Sequence, residues 1–438
     1  MKTNDVFGVS PQIRKDSYVD RGNLDQALTR ALGRNQHVAI RGPSKSGKSW
    51  LRQAVLKDAI TVQCRMNHPS TDIYVDALSQ LGVRLVVSES KQGTFSGRVS
   101  GTIEAGVKLL AKVGLASSVE SASSATQNSA PVGRDINDLR HVAEILRESG
   151  RRVVVEDFHY MSTEGRTSFA FDLKALWDYG VYVVVVGVWC ESNLLLHLNP
   201  DLTGRVWEQV IDWNRAELRE VLNKGARQLN ISFEPSVETA LVGMAYANVG
   251  ILQQLALMTL DEADIHERPK QQLTIRNEQL AIDAGMAYAD QLNAVYQQFA
   301  KSVSAGIRNR KNATGIYAHA MAVILAASDE ELVQGLALKL IFERAVARQP
   351  RIQLGNLKSV LGKVQDLQVD QGGRGLVLAY SQETEEVTVV DRQLLLYRKF
   401  STVKWPWDDL IASVDSTPVT PLLGDPDSGA TDPYAGDD

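Results

Sequence analysis

Four short apolar runs frame the first half of the chain, at residues 37–41, 59–64, 152–156 and 181–188. They are dominated by Val and Ile, the pattern of strands in a parallel sheet buried on both faces. Between them, apolar residues recur at helical spacing over 23–32, 49–57, 71–81, 136–149 and 166–179. The alternation predicts an α/β sandwich, a parallel sheet covered by helices on both sides. Residues 88–134 break the pattern with a Gly/Ser/Ala-rich stretch that shows no clear element. It is expected to be an exposed or partner-ordered loop, or else a functional lid or pore-type loop. Residues 214–300 are helical apart from a brief apolar run at 229–233. In 301–412 three helical patterns (316–327, 335–348, 354–367) precede two strands (375–381, 386–390), the order of a winged helix. Residues 413–438 end in five aspartates with no basic residue after 425, and read as a disordered acidic tail.

Composition narrows the class. The chain has 438 residues, 44% of them hydrophobic, with 32 glycines and 13 prolines. Two or three globular domains are expected, not a disordered or fibrous chain. The formal net charge of -5 argues against a wholly basic nucleic-acid protein. Cys64 and Cys190 both lie in apolar runs and read as buried thiols in a reducing compartment. The start of the chain lacks the apolar core of a secretory signal, and the longest apolar run is about half a membrane span. A cytoplasmic protein with no membrane association is expected.

The chemistry concentrates at Gly42-Pro43-Ser44-Lys45-Ser46-Gly47-Lys48-Ser49, followed by Trp50. Gly-x-x-x-x-Gly-Lys-Ser between a strand and a helix is the pattern of a phosphate-binding loop. Gly42 and Gly47 permit a bend that aims backbone N–H groups at phosphates, and the following helix adds the partial positive charge of its N-terminus. Lys48 would reach the β- and γ-phosphates and Ser49 would ligate Mg²⁺. Such a loop needs a carboxylate at the end of a neighbouring strand, and Glu156-Asp157 follows the run 152–155. Glu156 is expected on the Mg²⁺ side and Asp157 on the attacking water. A nucleoside triphosphate with Mg²⁺ is therefore the expected ligand.

With these residues in place, the first 265 or so residues resemble the AAA+ class of P-loop ATPases, most of all its origin-recognition/Cdc6-like and STAND-like branches. The resemblance implies ATP as the nucleotide. It makes Tyr18 and Arg21, in Ser17-Tyr-Val-Asp-Arg21, candidate contacts for the adenine base, Tyr18 having an equal claim as a staple of the first helix. The segment Asn199-Pro-Asp-Leu-Thr-Gly-Arg205 is similar to the box carrying an arginine that reaches a neighbouring subunit's γ-phosphate. A nucleotide-dependent homo-oligomer is implied, unless Arg205 pairs with a local acid such as Asp201 or Glu208. The polar sensor after the fourth apolar run is Ser192 or Asn193. Residues 247–254 lack the arginine often found there in the class. The class usually places Asp first in its acidic pair. A carboxylate displaced by about a bond length costs on the order of 10²-fold in rate, so slow hydrolysis is expected.

In Cdc6-like proteins the winged helix binds duplex DNA. Lys358 and Lys363 on its third helix, with Arg351 and Arg374, are the candidate contacts, while the turn Gln382-Glu-Thr-Glu-Glu386 is acidic and would repel phosphate. The expected function is an ATP switch that assembles through Arg205 and loads on DNA. The alternatives are a STAND-like signalling ATPase triggered by an unidentified protein partner, and a transposition-type adaptor.

Overall fold

The computed structural model describes residues 1–66, 69–89, 95–101, 136–189, 192–305, 315–368 and 376–415. Its centre is a parallel sheet of β1 (His37–Arg41), β2 (Ala59–Gln63), β5 (Arg152–Glu156), β6 (Val183–Gly187) and β7 (Val206–Val210), in the order β2-β5-β6-β1-β7. Unbroken apolar strands bury both faces, and the period-2 alternation sends their side chains to two cores. Ala39, Val153, Val155, Val183 and Val185 point to the layer that includes α4 (Ser70–Gln80), α5 (Leu139–Glu148) and α6 (Thr163–Asp178). Val38, Ile40, Val154, Val184 and Val186 point the other way, toward α2 (Leu24–Leu32) and α3 (Lys48–Val55). His37 opens β1 fully buried. Its Nδ1 accepts the Val183 N–H at 3.0 Å, so Nε2 carries the proton and donates to the Leu173 carbonyl at 2.8 Å. Burial holds this imidazole neutral and lowers its pKa to about 4.

Part of the segment expected to lack structure is a hairpin. β3 (Val83–Glu89) pairs antiparallel with β4 (Phe95–Gly101), in register from Val83↔Gly101 to Glu89↔Phe95. The Gly/Ser-rich second strand carries little β propensity of its own. The remainder of that stretch, 102–135, lies outside the described residues, as do Cys190, Arg374 and the tail from 416.

The helical unit comprises α8 (Arg215–Gln228), α9 (Pro235–Met244), α10 (Val249–Glu262) and the long α11 (Gln279–Ala305), with β8 (Ile231–Phe233) and β9 (Leu273–Ile275) pairing in parallel. Between the sheet's strands and this unit, the short α7 (Leu194–Leu198) follows β6. The third unit contains α12 (Ile316–Ala326), α13 (Asp329–Gln334), α14 (Leu338–Arg348), α15 (Leu354–Gln368), α16 (Gln393–Phe400) and α17 (Pro406–Asp415). Its antiparallel sheet has β12 (Glu386–Val389) between β10 (Leu336–Ala337) and β11 (Leu378–Ser381). The expected boundary at 300/301 falls inside α11. Tyr296 and Phe299 of that helix and Leu394 to Tyr397 of α16 belong to one apolar core that spans both units. The N-terminal strap joins it too: α1 (Thr3–Val6) places Val6 and Phe7 in the same core. Trp405 and Trp407 stack at 4.9 Å, and Trp407 is buried against the third unit.

Candidate functional site

The loop 42–47 leaves the end of β1 and turns into α3. Gly47 caps that helix at φ 89°, a left-handed conformation that favours glycine. At Gly42 the backbone passes so close to the β7 side that an added Cβ would lie 2.6 Å from the Ile211 carbonyl oxygen. Lys48, the first residue of α3, is buried, and its ammonium donates to the carbonyls of Gly42 (3.0 Å) and Pro43 (2.6 Å). Burial lowers its pKa to about 8, against the pull of Asp157 and Glu156.

Strand β5 ends beside this helix. The Ser49 hydroxyl donates to Glu156 Oε2 at 3.0 Å, and Arg52, one turn further along α3, donates to Glu156 Oε1 through Nε (3.1 Å) and Nη2 (3.0 Å). Glu156 is 5% exposed, so these partners and not solvent satisfy its carboxylate oxygens. Asp157 takes φ 56° immediately after the strand, and its carboxylate accepts from Gln63 at the end of β2. Burial and the adjacent Glu156 carboxylate raise its pKa. His159 accepts the Val188 N–H on Nδ1 at 3.3 Å, which leaves Nε2 as a donor. Burial and the cations of Lys48 and Arg166 push its pKa down to about 4, so it is neutral.

These groups enclose a cavity of about 230 Å³. Ser44, Lys45, Ser46, Gly47, Lys48, Ser49 and Trp50 form one wall, and Glu156, Asp157, His159 and Tyr160 another. Gly42 and Pro43 act through their carbonyls on Lys48. Gly8, Val9 and Ser10 of the N-terminal strap close a further side, and Ser10 accepts the Trp50 indole N–H at 2.9 Å. No local sequence signal marks these three residues, because distant contacts bring them here.

The helical unit sits directly on the loop. Asn248 caps α10 by accepting from the N–H groups of Gly250 (2.9 Å) and Ile251 (3.2 Å), and donates to the Ser44 carbonyl at 2.7 Å. The Gly250 N–H also donates to the Lys45 carbonyl at 3.0 Å. A Cβ at Gly250 would stand 2.5 Å from Lys45 Cβ. The Trp213 indole donates to the Ser46 carbonyl at 2.8 Å. The third unit reaches the same loop, since Lys45 Nζ donates to Gln393 Oε1 at 2.6 Å. Arg392 beside it donates to the Ala247 carbonyl (2.6 Å) and to Asp212 (3.2 Å). Arg392 therefore binds backbone and Asp212 and does not line the cavity.

Other expected residues lie elsewhere. Tyr18 and Arg21 border a separate cavity of about 20 Å³ behind Gly47 and Trp50. There the Tyr18 hydroxyl donates to Asp25, and the Arg21 guanidinium lies 3.7 Å over the Trp213 ring and donates to the Asp212 carbonyl. Ser192 accepts from Arg41 at 3.2 Å, and the Asn193 N–H donates to Glu208 at 3.1 Å. Neither borders the cavity. Arg205 precedes β7 at the end of the sheet opposite the loop. It donates to the Asp201 carbonyl and lies 4.7 Å over Trp177, while Glu208 pairs with Arg41 at 2.7 Å.

Ser49 and Glu156 are two adjacent oxygen donors of the kind Mg²⁺ takes, with space for phosphate beside them. Among the described residues there is no cluster of three or more His, Cys, Asp or Glu able to hold a metal alone.

The sheet order, the loop at its carboxyl edge and the strand-end carboxylates define the fold of AAA+ P-loop ATPases. Among solved structures, the Walker-type ATPase of Pyrococcus abyssi shares it with a TM-score of 0.53 at 13% identity, over 90% of this chain and 99% of that one. The Aeropyrum pernix Orc1 protein in complex with DNA aligns at a TM-score of 0.40 and 12% identity, over 91% of this chain and 94% of that one. A Pyrococcus horikoshii STAND protein with a tetratricopeptide-repeat sensor aligns at 0.35 and 11%, over 92% and 46%. No protein-family profile matches the chain, and no curated protein matches it. Among the described residues no helix is long and apolar enough to cross a membrane.

Proposed function

We propose that this chain is an ATP-binding, slowly hydrolysing AAA+ switch whose helical lid and third unit respond to the nucleotide. The observation that carries the reading is the 3.0 Å bond from Ser49 to Glu156, made across α3 and β5 beside the buried Lys48. On binding, Lys48 exchanges its two carbonyl partners for phosphate oxygens, and the N–H groups at the start of α3 hold the same phosphates. Ser49 and Glu156 would hold Mg²⁺, whose chemistry when bound would be to neutralise phosphate charge. His159, neutral with Nε2–H as its donor, replaces Ser192 or Asn193 as the polar contact at the γ-phosphate. Asp157 orients the attacking water.

Two contacts support slow turnover. Asp157 is engaged by Gln63, and one oxygen of Glu156 is held by Arg52. Arg205 lies too far along the sheet to serve its own loop, which supports completion of the site by a neighbour's arginine in a nucleotide-dependent homo-oligomer. The third unit is read as a winged helix. Its Lys358 is paired with Glu385, which favours a switch acting through protein contacts over one loaded on DNA.

Calorimetric titration with a non-hydrolysable ATP analogue and Mg²⁺ tests the site. Binding to the unmodified protein and at least a 100-fold loss in Lys48→Ala are expected (about 2.7 kcal/mol or more); equal binding by both refutes the reading. Light scattering should show analogue-dependent assembly. Fluorescence anisotropy with duplex DNA at low salt decides between the two branches of the function.

A further inference from the structure

Gln253 lies in the second turn of α10, is 2% exposed, and borders both the main cavity and the small one behind it. Its neighbours fix which way the amide points. The Ser17 hydroxyl gives its single proton to the Val6 carbonyl at 2.7 Å, so toward Gln253 it can only accept. The amide nitrogen therefore faces Ser17, at 3.0 Å, and the flipped amide would set two acceptors against each other. Oε1 is left over. It is buried and has no donor among the described residues. The main chain of Gln253 is already engaged, since its carbonyl accepts the Gly8 N–H at 3.1 Å.

A buried acceptor without a donor is destabilising, and proteins rarely keep one without a use. This one stands on the side of the cavity formed by Gly8–Ser10, Trp50 and Val249, whereas the phosphate-binding groups of Lys48, Ser49 and Glu156 form another. A nucleotide with its phosphates on Lys48 needs a place for its base, and Val9, Trp50 and Val249 give this cavity apolar lining beside Gln253.

We infer that Gln253 reads the base: its Oε1 accepts from the 6-amino group of adenine and disfavours purines that carry a 6-oxo group. The inference rests on the nucleotide reading of the cavity. An inosine base would set its own oxygen against Oε1, and a base lacking the substituent would leave Oε1 unpaired.

The test measures binding of ATP, ITP and purine riboside triphosphate, each with Mg²⁺, to the unmodified full chain. ATP is expected to bind about 10- to 100-fold more tightly than ITP, with purine riboside triphosphate between them. In Gln253→Met, which keeps the length of the side chain without an acceptor, the ATP/ITP ratio should fall to within about threefold. Equal binding of ATP and ITP by the unmodified protein overturns the inference, as does a preserved ratio in Gln253→Met. The ligand series alone decides the matter if the variant fails to fold. Binding that depends on Lys48 but ignores the base sinks the role of Gln253 only. No binding of any triphosphate sinks the nucleotide reading as well.

Discussion

Replacing Arg52 by Met isolates the charge beside Glu156 while keeping most of the length of the side chain. In the unmodified protein three N–H or O–H groups reach the Glu156 carboxylate, two of them from Arg52, and the carboxylate is 5% exposed. The variant keeps only the Ser49 bond. Breaking a buried ion pair by removing one partner costs about 3–5 kcal/mol. Ser49 remains and the Arg52 side chain keeps 12% of its area exposed, so about 3 kcal/mol is the better figure. For a domain the size of the sheet unit this lowers Tm by roughly 6–12 °C. On the proposed reading, in which Glu156 takes Mg²⁺, the same substitution removes a cation that would compete for the carboxylate. Mg²⁺ and ATP together should therefore raise Tm more in the variant than in the unmodified protein, while ATP with EDTA should not. Differential scanning fluorimetry of both proteins under the three conditions measures this. A Tm within about 2 °C of the unmodified protein would refute the assigned partnership. Equal Mg²⁺-dependent gains in both would refute the competition.

Three further outcomes follow from contacts around the loop. Asp157→Ala should retain ATP binding and lose turnover, so that ATP stays bound through a desalting column; unchanged release of phosphate would remove Asp157 from the water-orienting role. Gly250→Ala forces a Cβ against Lys45, at 2.5 Å from its Cβ, and should lower stability by about 1–3 kcal/mol, partly offset by alanine's helix propensity. A urea midpoint equal to the unmodified one would show that the lid does not sit on the loop as described. His37 has a folded pKa of about 4, below its unfolded value, so the unfolded chain binds the proton more readily. Its stability contribution is complete above about pH 6.5 and is lost as pH falls toward 4, by at most about 3 kcal/mol. His159 adds a loss of the same sign. Urea titrations at pH 7.5 and 5 should therefore show a lower midpoint at pH 5 and a flatter dependence in His37→Gln.

The sheet strands and the phosphate loop were legible because their signals are local: unbroken Val/Ile runs, and glycines flanking a Lys-Ser pair. Strand β7 escaped because Val206 to Val210 is a half-buried edge with Trp, Glu and Gln inside it, and it lacks the apolar signature of its neighbours. Gln63 and Arg52 were invisible as site residues for a different reason. Their roles exist only because β2 pairs with β5 in the register Gln63↔Glu156, and because α3 turns Arg52 toward that strand end. Ser10 meets Trp50 across 40 positions, and Gly8 and the acceptor on Gln253 depend on contacts more than 230 positions apart. Tyr18 and Arg21 illustrate the converse. The short motif made both residues candidate base contacts, but Asp25 and Trp213 engage their side chains beside a cavity of about 20 Å³, and neither borders the main cavity.

The single apolar core that joins the strap, the lid and the third unit has a mechanical consequence. The sheet keeps cores of its own, a small apolar cluster of Val188, Ala379 and Val390 ties it to the third unit, and the loop 42–47 touches both the helical unit and the third unit. Asn248 and Gln393 fasten the helical and third units to that loop through Ser44 and Lys45. A turn of these units about the loop that shifts a loop contact slightly would move the distal helices further, in proportion to their distance from it. Spin labels placed on the sheet and on α15 would separate by many times that amount, while labels on α9 and α15 would keep their distance.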